Sequence, residues 1–138
     1  VCPVSREAAM YCLSPRRVVD ALVHAMELPS ESLGMVRSLT LPGRTFSVAE
    51  MVESLERVAG AGVTARIRWE PDPVIQKIVA GWPQHFRTPR AERLGFSADA
   101  GLDEIVRQHI DDEARAIELG TLGGMIRGAH DRLPTATG

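Results

Sequence analysis

Apolar residues return every three or four positions in several stretches of the chain, a spacing that predicts amphipathic helices. The first helix is predicted from Ser14, a good N-cap, and Pro15, which suits the first helical position, to about Leu28. The second begins at Ser47, and Glu50 three residues later completes a capping box. The first helix carries a broad apolar face made of Val18, Val19, Leu22, Val23, Ala25 and Met26.

Three further helices are predicted downstream. A short one opens at Pro71 and Pro73 and is broken at Gly81. One of one or two turns covers residues 88–94, and the last helix covers residues 102–118 with apolar side chains on one face.

Two other stretches predict strands. Residues 63–69 alternate apolar and polar side chains, as a half-buried strand does, and residues 36–41 read as a strand closed by Pro42 and Gly43. Shorter extended pieces are expected around Val4 and at residues 10–13. The elements add up to an α/β, helix-rich fold with two or three strands and about four main helices, too few strands for a complete doubly wound sheet.

Composition limits the class of protein. The chain has 138 residues, a formal net charge of −2 and 44% apolar residues, which fits one domain able to bury a core and argues against nucleic-acid binding. No run reaches the roughly 18 apolar residues of a membrane span, and the first residues do not form a signal peptide, so we expect a cytoplasmic protein. Residues 1–118 form the predicted domain, and residues 119–138 a flexible glycine-rich tail.

The motifs of catalysis and cofactor binding are missing from this sequence. Residues 60–65 match G-x-G-x-x-A by letters, but a helix precedes them and a strand follows, the reverse of a dinucleotide-binding loop. Tyr11 and Lys77, the only residues of their kinds, do not form a Tyr-x-x-x-Lys pair. Cys2 and Cys12 have no nearby histidine and fit no zinc spacing. We therefore predict no catalytic, metal-binding or cofactor-binding residue here.

Two groups of residues are candidates for contact with a ligand. Ser14 and Arg16 lie at a predicted helix N-terminus, where free amides, the helix dipole and a guanidinium favour a carboxylate or phosphate. The alternative is that Ser14 only caps the helix and Arg16 only pairs with Asp20. Trp82 lies in a polar and aromatic loop with His85 and Arg87, and the alternative there is a surface loop with one buried tryptophan.

The order of short strings along the chain resembles a known family. The strings are Cys-Pro-Val-Ser at residues 2–5, Ser-Pro-Arg at 14–16, Arg-Ile-Arg-Trp-Glu-Pro-Asp-Pro at 66–73, Gly-Trp-Pro at 81–83 and Arg-Ala-Glu-Arg-Leu-Gly-Phe at 90–96. Over residues 1–113 they resemble the C-terminal part of extended short-chain dehydrogenases/reductases, the NAD-dependent epimerase/dehydratase family of nucleoside-diphosphate-sugar epimerases. Within that family the resemblance is closest to the D-erythronate dehydrogenase branch.

This resemblance implies a small α/β lobe that closes over the substrate, with the Rossmann core absent from this chain. It implies Ser14, Arg16 and Trp82 as contacts to a sugar acid or nucleotide sugar. The full-length family uses NAD(P), and the resemblance implies that this chain alone binds none and packs on a Rossmann domain or self-associates.

Two functions follow from these observations. The first is the substrate-binding portion of an NAD-dependent sugar-acid dehydrogenase or nucleotide-sugar epimerase-like protein, whose hydride-transfer residues lie outside this sequence. The second is a stand-alone binding or protein-interaction module without catalysis.

Overall fold

The computed structural model of the chain describes residues 1–118, and the predicted flexible tail at 119–138 lies outside the described residues. The chain divides into two compact units, Val1–Val106 and a second that begins at Arg107. The first unit holds every element but the last helix, which runs on into the second unit. Among the described residues, no helix is long and apolar enough to cross a membrane.

The helix-rich α/β class expected from the sequence is confirmed within residues 1–118. Four helices have eight or more residues, three are shorter, and two strands pair in one sheet. In chain order the elements are β1 (Ala9–Cys12), α1 (Pro15–Glu27), α2 (Ser30–Leu33), β2 (Arg44–Ser47), α3 (Val48–Ala59), α4 (Ala61–Thr64), α5 (Pro73–Ala80), α6 (Pro89–Arg93) and α7 (Leu102–Glu118).

The sheet is an antiparallel pair whose register runs from Ala9 opposite Ser47 to Cys12 opposite Arg44. Helix α3 follows β2 with no residue between them, because Ser47 both ends the strand and caps the helix. The Glu50 N–H donates to Ser47 Oγ at 3.2 Å, and the Ser47 N–H donates to the Glu50 carboxylate at 2.7 Å. The predicted capping box is therefore confirmed, and it fixes the point where the backbone changes from strand to helix.

Both predicted strands outside this sheet are wrong. Residues 36–41 have no strand partner, and residues 61–64 form helix α4. What remains of the second strand is a single parallel bridge between Cys2 and Trp69, where the Cys2 N–H donates to the Arg68 carbonyl at 2.7 Å. An alternating pattern gives one buried face only when neighbouring strands complete the sheet, and these segments lack such neighbours in the described chain.

The hydrophobic core consists of two clusters. In the first, Val4, Val48 and Val79 bring the N-terminal segment, α3 and α5 together. In the second, Ala21, Ala91 and Phe96 join α1 to α6 and to the segment that follows it. The partly buried apolar side chains around these two clusters are Cys2, Ala8, Met10, Val52, Trp69, Ala25, Leu28, Leu39, Leu41 and Leu94.

Helix α1 forms where it was predicted, but most of its apolar face is uncovered. Ala21 is the one residue of α1 classed as buried, whereas Leu22 is 62% exposed and Met26 is 86% exposed. Just after α2, Met35 and Val36 are also largely exposed. We call the exposed set of Val19, Leu22, Val23, Met26, Met35 and Val36 the α1 apolar surface.

Candidate functional site

The N-terminus of α1 is tied to a distant carboxylate. Ser14 Oγ donates to Asp99 Oδ1 at 2.6 Å and the Ser14 N–H donates to Asp99 Oδ2 at 2.8 Å, so both oxygens of Asp99 accept from one residue. Ser14 Oγ also accepts the Arg17 N–H at 3.1 Å, which makes Ser14 the N-cap of α1, as predicted. Ser14 is 1% exposed and Asp99 3%. These two donors compensate for the burial of a charged carboxylate.

This arrangement constrains the predicted contact between Ser14 and a substrate. The Ser14 hydroxyl already donates to Asp99 and accepts from Arg17, and its burial leaves no open face. Direct contact of Ser14 with a ligand stays a prediction, and it would require the hydroxyl to leave Asp99. Sequence reasoning missed Asp99, because the two residues are 85 positions apart and no local pattern links them.

Arg16 is half-buried in the first turn of α1, and its contact with a ligand also stays a prediction. Its neighbour Arg17 forms an ion pair with Asp20, with 3.8 Å between the guanidinium nitrogen and the carboxylate oxygen. Asp20 is 67% exposed at its side chain, so this pair contributes little to stability.

The loop at residues 81–88 carries the third predicted contact, Trp82, which is 52% exposed. The loop is fastened to the sheet at two points. Phe86 packs edge-on against Tyr11 of β1 with 4.9 Å between ring centroids, and Thr45 Oγ1 of β2 donates to the Gln84 carbonyl. The backbone around Trp82 is thus held on the sheet while its indole remains accessible.

His85 completes the anchor on β2. Its Nδ1 lies 3.1 Å from Thr45 Oγ1. Since the threonine hydroxyl has one proton and donates it to the Gln84 carbonyl, His85 Nδ1–H is the donor in this contact.

Strand β2 connects the two groups of predicted residues. Arg44 Nε donates to the Asp99 carbonyl at 2.8 Å, and the next residue, Thr45, donates to the loop that carries Trp82. The start of α1, through Asp99, and the loop at 81–88 are therefore attached to neighbouring positions of one strand, although the sequence places Ser14 and Trp82 far apart.

The hydroxyl of Tyr11 forms two hydrogen bonds with backbone groups. It accepts the Gly43 N–H at 2.5 Å and donates to the Leu41 carbonyl at 3.1 Å. A Cβ on Gly43 would lie 2.7 Å from the Cys12 carbonyl and 2.8 Å from the Tyr11 ring, so only glycine fits there. The backbone at residues 41–43, just before β2, is thereby held against the Tyr11 side chain.

A cavity of about 190 Å³ lies between residues 5–9 and helix α5, and we call it the α5 cavity. The Ser5 N–H donates to Gln76 Oε1 at 2.8 Å, and Gln76 Nε2 donates to Ser5 Oγ at 3.3 Å. Gln84, two residues after Trp82, belongs to its wall. The lining residues are Ser5, Glu7, Ala8, Ala9, Gln76, Val79, Ala80 and Gln84.

Within residues 1–118, the Cys12 thiol is not activated and no cluster of metal-ligating side chains is present. Burial raises the pKa of the Cys12 thiol, which disfavours the thiolate that nucleophilic chemistry needs. Both described cysteines are free. The described residues contain no cluster of three or more histidine, cysteine, aspartate or glutamate side chains able to hold a metal ion.

Comparison with known proteins identifies relatives of the chain, although no protein-family model matches it. It is 43% identical to D-erythronate dehydrogenase of Cupriavidus necator over 115 residues, which is 83% of this chain and 36% of that protein. The Haemophilus influenzae D-erythronate dehydrogenase is 36% identical over 111 residues, 80% of this chain and 35% of that protein. The chain is homologous to D-erythronate dehydrogenases. It spans about a third of the length of these curated relatives.

Solved structures agree with this homology. The nucleoside-diphosphate-sugar epimerase of Agrobacterium tumefaciens superposes with a TM-score of 0.77 at 38% identity, over 81% of this chain and 33% of that chain. A GalE-like L-threonine dehydrogenase of Cupriavidus necator, in its apo form, gives a TM-score of 0.66 at 27% identity, over 80% of this chain and 39% of that chain. The resemblance seen in the sequence is confirmed, and the partial coverage is consistent with a C-terminal lobe of such proteins.

Proposed function

We propose that the chain is the substrate-binding part of an NAD-dependent sugar-acid dehydrogenase or nucleotide-sugar epimerase-like protein. The homology to D-erythronate dehydrogenases carries this proposal, because it extends over 83% of the chain. The hydride-transfer residues and the NAD(P) site belong, in this proposal, to the two thirds of the relatives that the chain does not match. Its own role is to recognise the substrate and to close the cleft.

The local geometry supports the assignment of NAD(P) to another part of the protein. Gly60 has a φ of +88° and caps the C-terminus of α3, and α4 follows it directly. The G-x-G-x-x-A letters thus end one helix and form another, whereas a pyrophosphate site needs glycines between a strand and a helix N-terminus. We infer that this segment serves as the junction at which α3 ends and α4 begins.

In this proposal Trp82 and Arg16 contact the substrate. Trp82 offers an exposed indole on a loop held by β1 and β2, and Arg16 offers a guanidinium for a carboxylate. Ser14 holds the start of α1 in place through Asp99, and its own substrate contact is the part of the prediction with the least structural support.

A titration of the chain with D-erythronate tests the proposal. We expect the NMR signal of the Trp82 indole N–H to shift, while that of Trp69, which packs against the first core cluster, stays in place. Trp82→Ala should weaken binding, and Glu27→Ala, an exposed change on α1, should leave it unchanged. No shift at Trp82 or at the Arg16 amide with saturating D-erythronate would contradict the proposal.

The α1 apolar surface supports a further part of the proposal, that the NAD-binding portion of the protein packs here. Large apolar side chains on one helix face are rarely left together in solvent, and the neighbouring residues 36–41 have a strand pattern without a strand partner. Mixing the chain with the separately expressed NAD-binding part of a D-erythronate dehydrogenase should give a one-to-one complex. Leu22→Glu should abolish that complex, and Gln84→Glu, outside α1, should not.

The same surface favours the second candidate function, a stand-alone interaction module that pairs with its own copy. Sedimentation of the chain alone separates the two candidates. A monomer that binds D-erythronate supports the substrate-binding part, whereas a dimer that Leu22→Glu dissociates, with no D-erythronate binding, supports the interaction module.

We also propose that the protein acts in the cytoplasm. The support is the cysteine state, because Cys2 and Cys12 are both free, as expected in a reducing compartment.

A further inference from the structure

We propose that the α5 cavity binds the hydroxyl-bearing carbon chain of a polyol-like ligand and rejects carboxylate groups. This inference rests on the proposed function, because it assigns one part of the substrate to a place in the described chain. It concerns a cavity that none of the predicted contacts, Ser14, Arg16 or Trp82, lines.

The first support is the set of unused hydrogen-bonding groups. Gln76 Nε2 has two protons, and its contact with Ser5 Oγ uses one of them. Ser5 Oγ accepts in that contact, which leaves its own proton for another acceptor. The Gln84 side-chain amide and the Glu7 carboxylate add further donors and acceptors to the wall. A hydroxyl group both donates and accepts, so a chain of hydroxyls can satisfy a mixed set of this kind.

The preset position of Gln76 is the second support. The Ser5 N–H holds Gln76 Oε1 at 2.8 Å and thereby fixes the plane of the amide. An amide oriented before binding loses less side-chain entropy when a ligand arrives. The cavity therefore has at least one donor whose direction is set by the fold.

The charge of the lining is the third support. Among the described residues, neither arginine nor lysine lines the cavity, and Glu7 is the one ionisable side chain in its wall. A carboxylate ligand would meet a like charge without a compensating cation, whereas a neutral hydroxyl can donate to Glu7.

The apolar side of the wall is the fourth support. Ala8, Val79 and Ala80 contribute methyl groups beside the polar side chains, and they suit the C–H surface of a carbon chain. Gln84, two residues beyond Trp82, belongs to the wall, so the cavity borders the loop that carries the exposed indole.

NMR of the ¹⁵N-labelled chain tests the proposal with two small probes. Erythritol carries four hydroxyls and no charge, and succinate carries two carboxylates and no hydroxyl. We expect erythritol to shift the backbone amides of Ser5, Ala8 and Ala9 and the side-chain amides of Gln76 and Gln84. Succinate should leave these signals unchanged.

Substitutions with matched controls locate the effect. Gln84→Leu should weaken erythritol binding about three- to tenfold, the value of one or two hydrogen bonds, and Glu27→Leu should not change it. Glu7→Gln should allow succinate to shift the same amides, because it removes the like charge. Glu27→Gln, the same change outside the cavity, should not admit succinate.

The outcomes separate this inference from the proposed function. Erythritol shifts that are absent or lie elsewhere overturn the inference, as does succinate binding at these amides with Glu7 in place. If erythritol fails while the sugar-acid titration described above still shifts Trp82, the inference is wrong and the proposed function stands. If both titrations fail, both are wrong.

Discussion

Replacing Asp99 tests whether the buried contact with Ser14 holds the start of α1. Asp99→Ala leaves the Ser14 N–H and hydroxyl without acceptors in a site that is 1% exposed. A hydrogen bond to a charged group is worth about 1.5–3 kcal/mol, so the loss of two should lower the free energy of unfolding by about 3–6 kcal/mol. Such a loss is a large share of the stability of an ordinary domain, roughly 5–15 kcal/mol.

The assay is urea unfolding followed by circular dichroism at the helix band. Asp99→Asn keeps one acceptor oxygen, so it should cost about half as much and remain folded if Asp99→Ala does not. Asp20→Asn is the matched control, because this carboxylate is largely exposed and should matter by less than about 0.5 kcal/mol.

A double-mutant cycle checks the cause. Ser14→Ala removes both the cap and the hydroxyl that donates to Asp99, so its effect and that of Asp99→Ala should not add, and their coupling should exceed about 1 kcal/mol. If Asp99→Ala costs less than about 1 kcal/mol, or if the two single effects add, the reasoning about this buried pair is wrong.

Three other predictions concern local features. In thermal unfolding, Gly43→Ala should destabilise the chain by at least about 2 kcal/mol, because the new Cβ has no space, and it should change the near-UV signal of Tyr11. The control Gly62→Ala lies inside α4, where its Cβ meets no atom within 4 Å, and it should stabilise the chain by up to about 1 kcal/mol. Hydrogen bonds from Ser47 lower the pKa of Glu50 below its ordinary value of 4.5. The contribution of the Glu50 carboxylate to stability is therefore present above pH 4.5 and is lost as the pH falls through the lowered pKa. Glu50→Gln should flatten this part of the pH–stability curve. Iodoacetamide should alkylate Cys12 more slowly at pH 8 than it alkylates a free cysteine, because burial raises the pKa of that thiol, and an equal rate would contradict this.

The elements predicted best from the sequence are those fixed by nearby residues. Ser14 with Pro15, and Ser47 with Glu50, start their helices through contacts no more than three residues long, so a local pattern suffices. The strand at residues 63–69 failed for the opposite reason. Its alternation says which side chains share a face, but whether a strand forms depends on neighbours that the local pattern does not include.

The candidate site shows the same division. The capping role of Ser14 agrees with what the sequence suggests, and the ligand contacts of Ser14, Arg16 and Trp82 stay predictions. The pairing of Ser14 with Asp99 and of Ser5 with Gln76 joins residues 85 and 71 positions apart, which no spacing rule detects. The spacing of the apolar residues predicts the apolar face of α1, but it does not tell whether another element covers that face.

The direct passage from β2 to α3 at Ser47 has a consequence for how relatives of this chain can differ in length. One residue both pairs with Ala9 across the sheet and caps the helix, so an inserted or deleted residue at this point would break the pairing or the cap. Residues 35–40, between the C-cap of α2 at Gly34 and β2, neither pair in the sheet nor cap a helix. Length differences among homologues should therefore collect at residues 35–40 and be absent at 47–48, and a library of single-residue insertions selected for folded protein should show the same division.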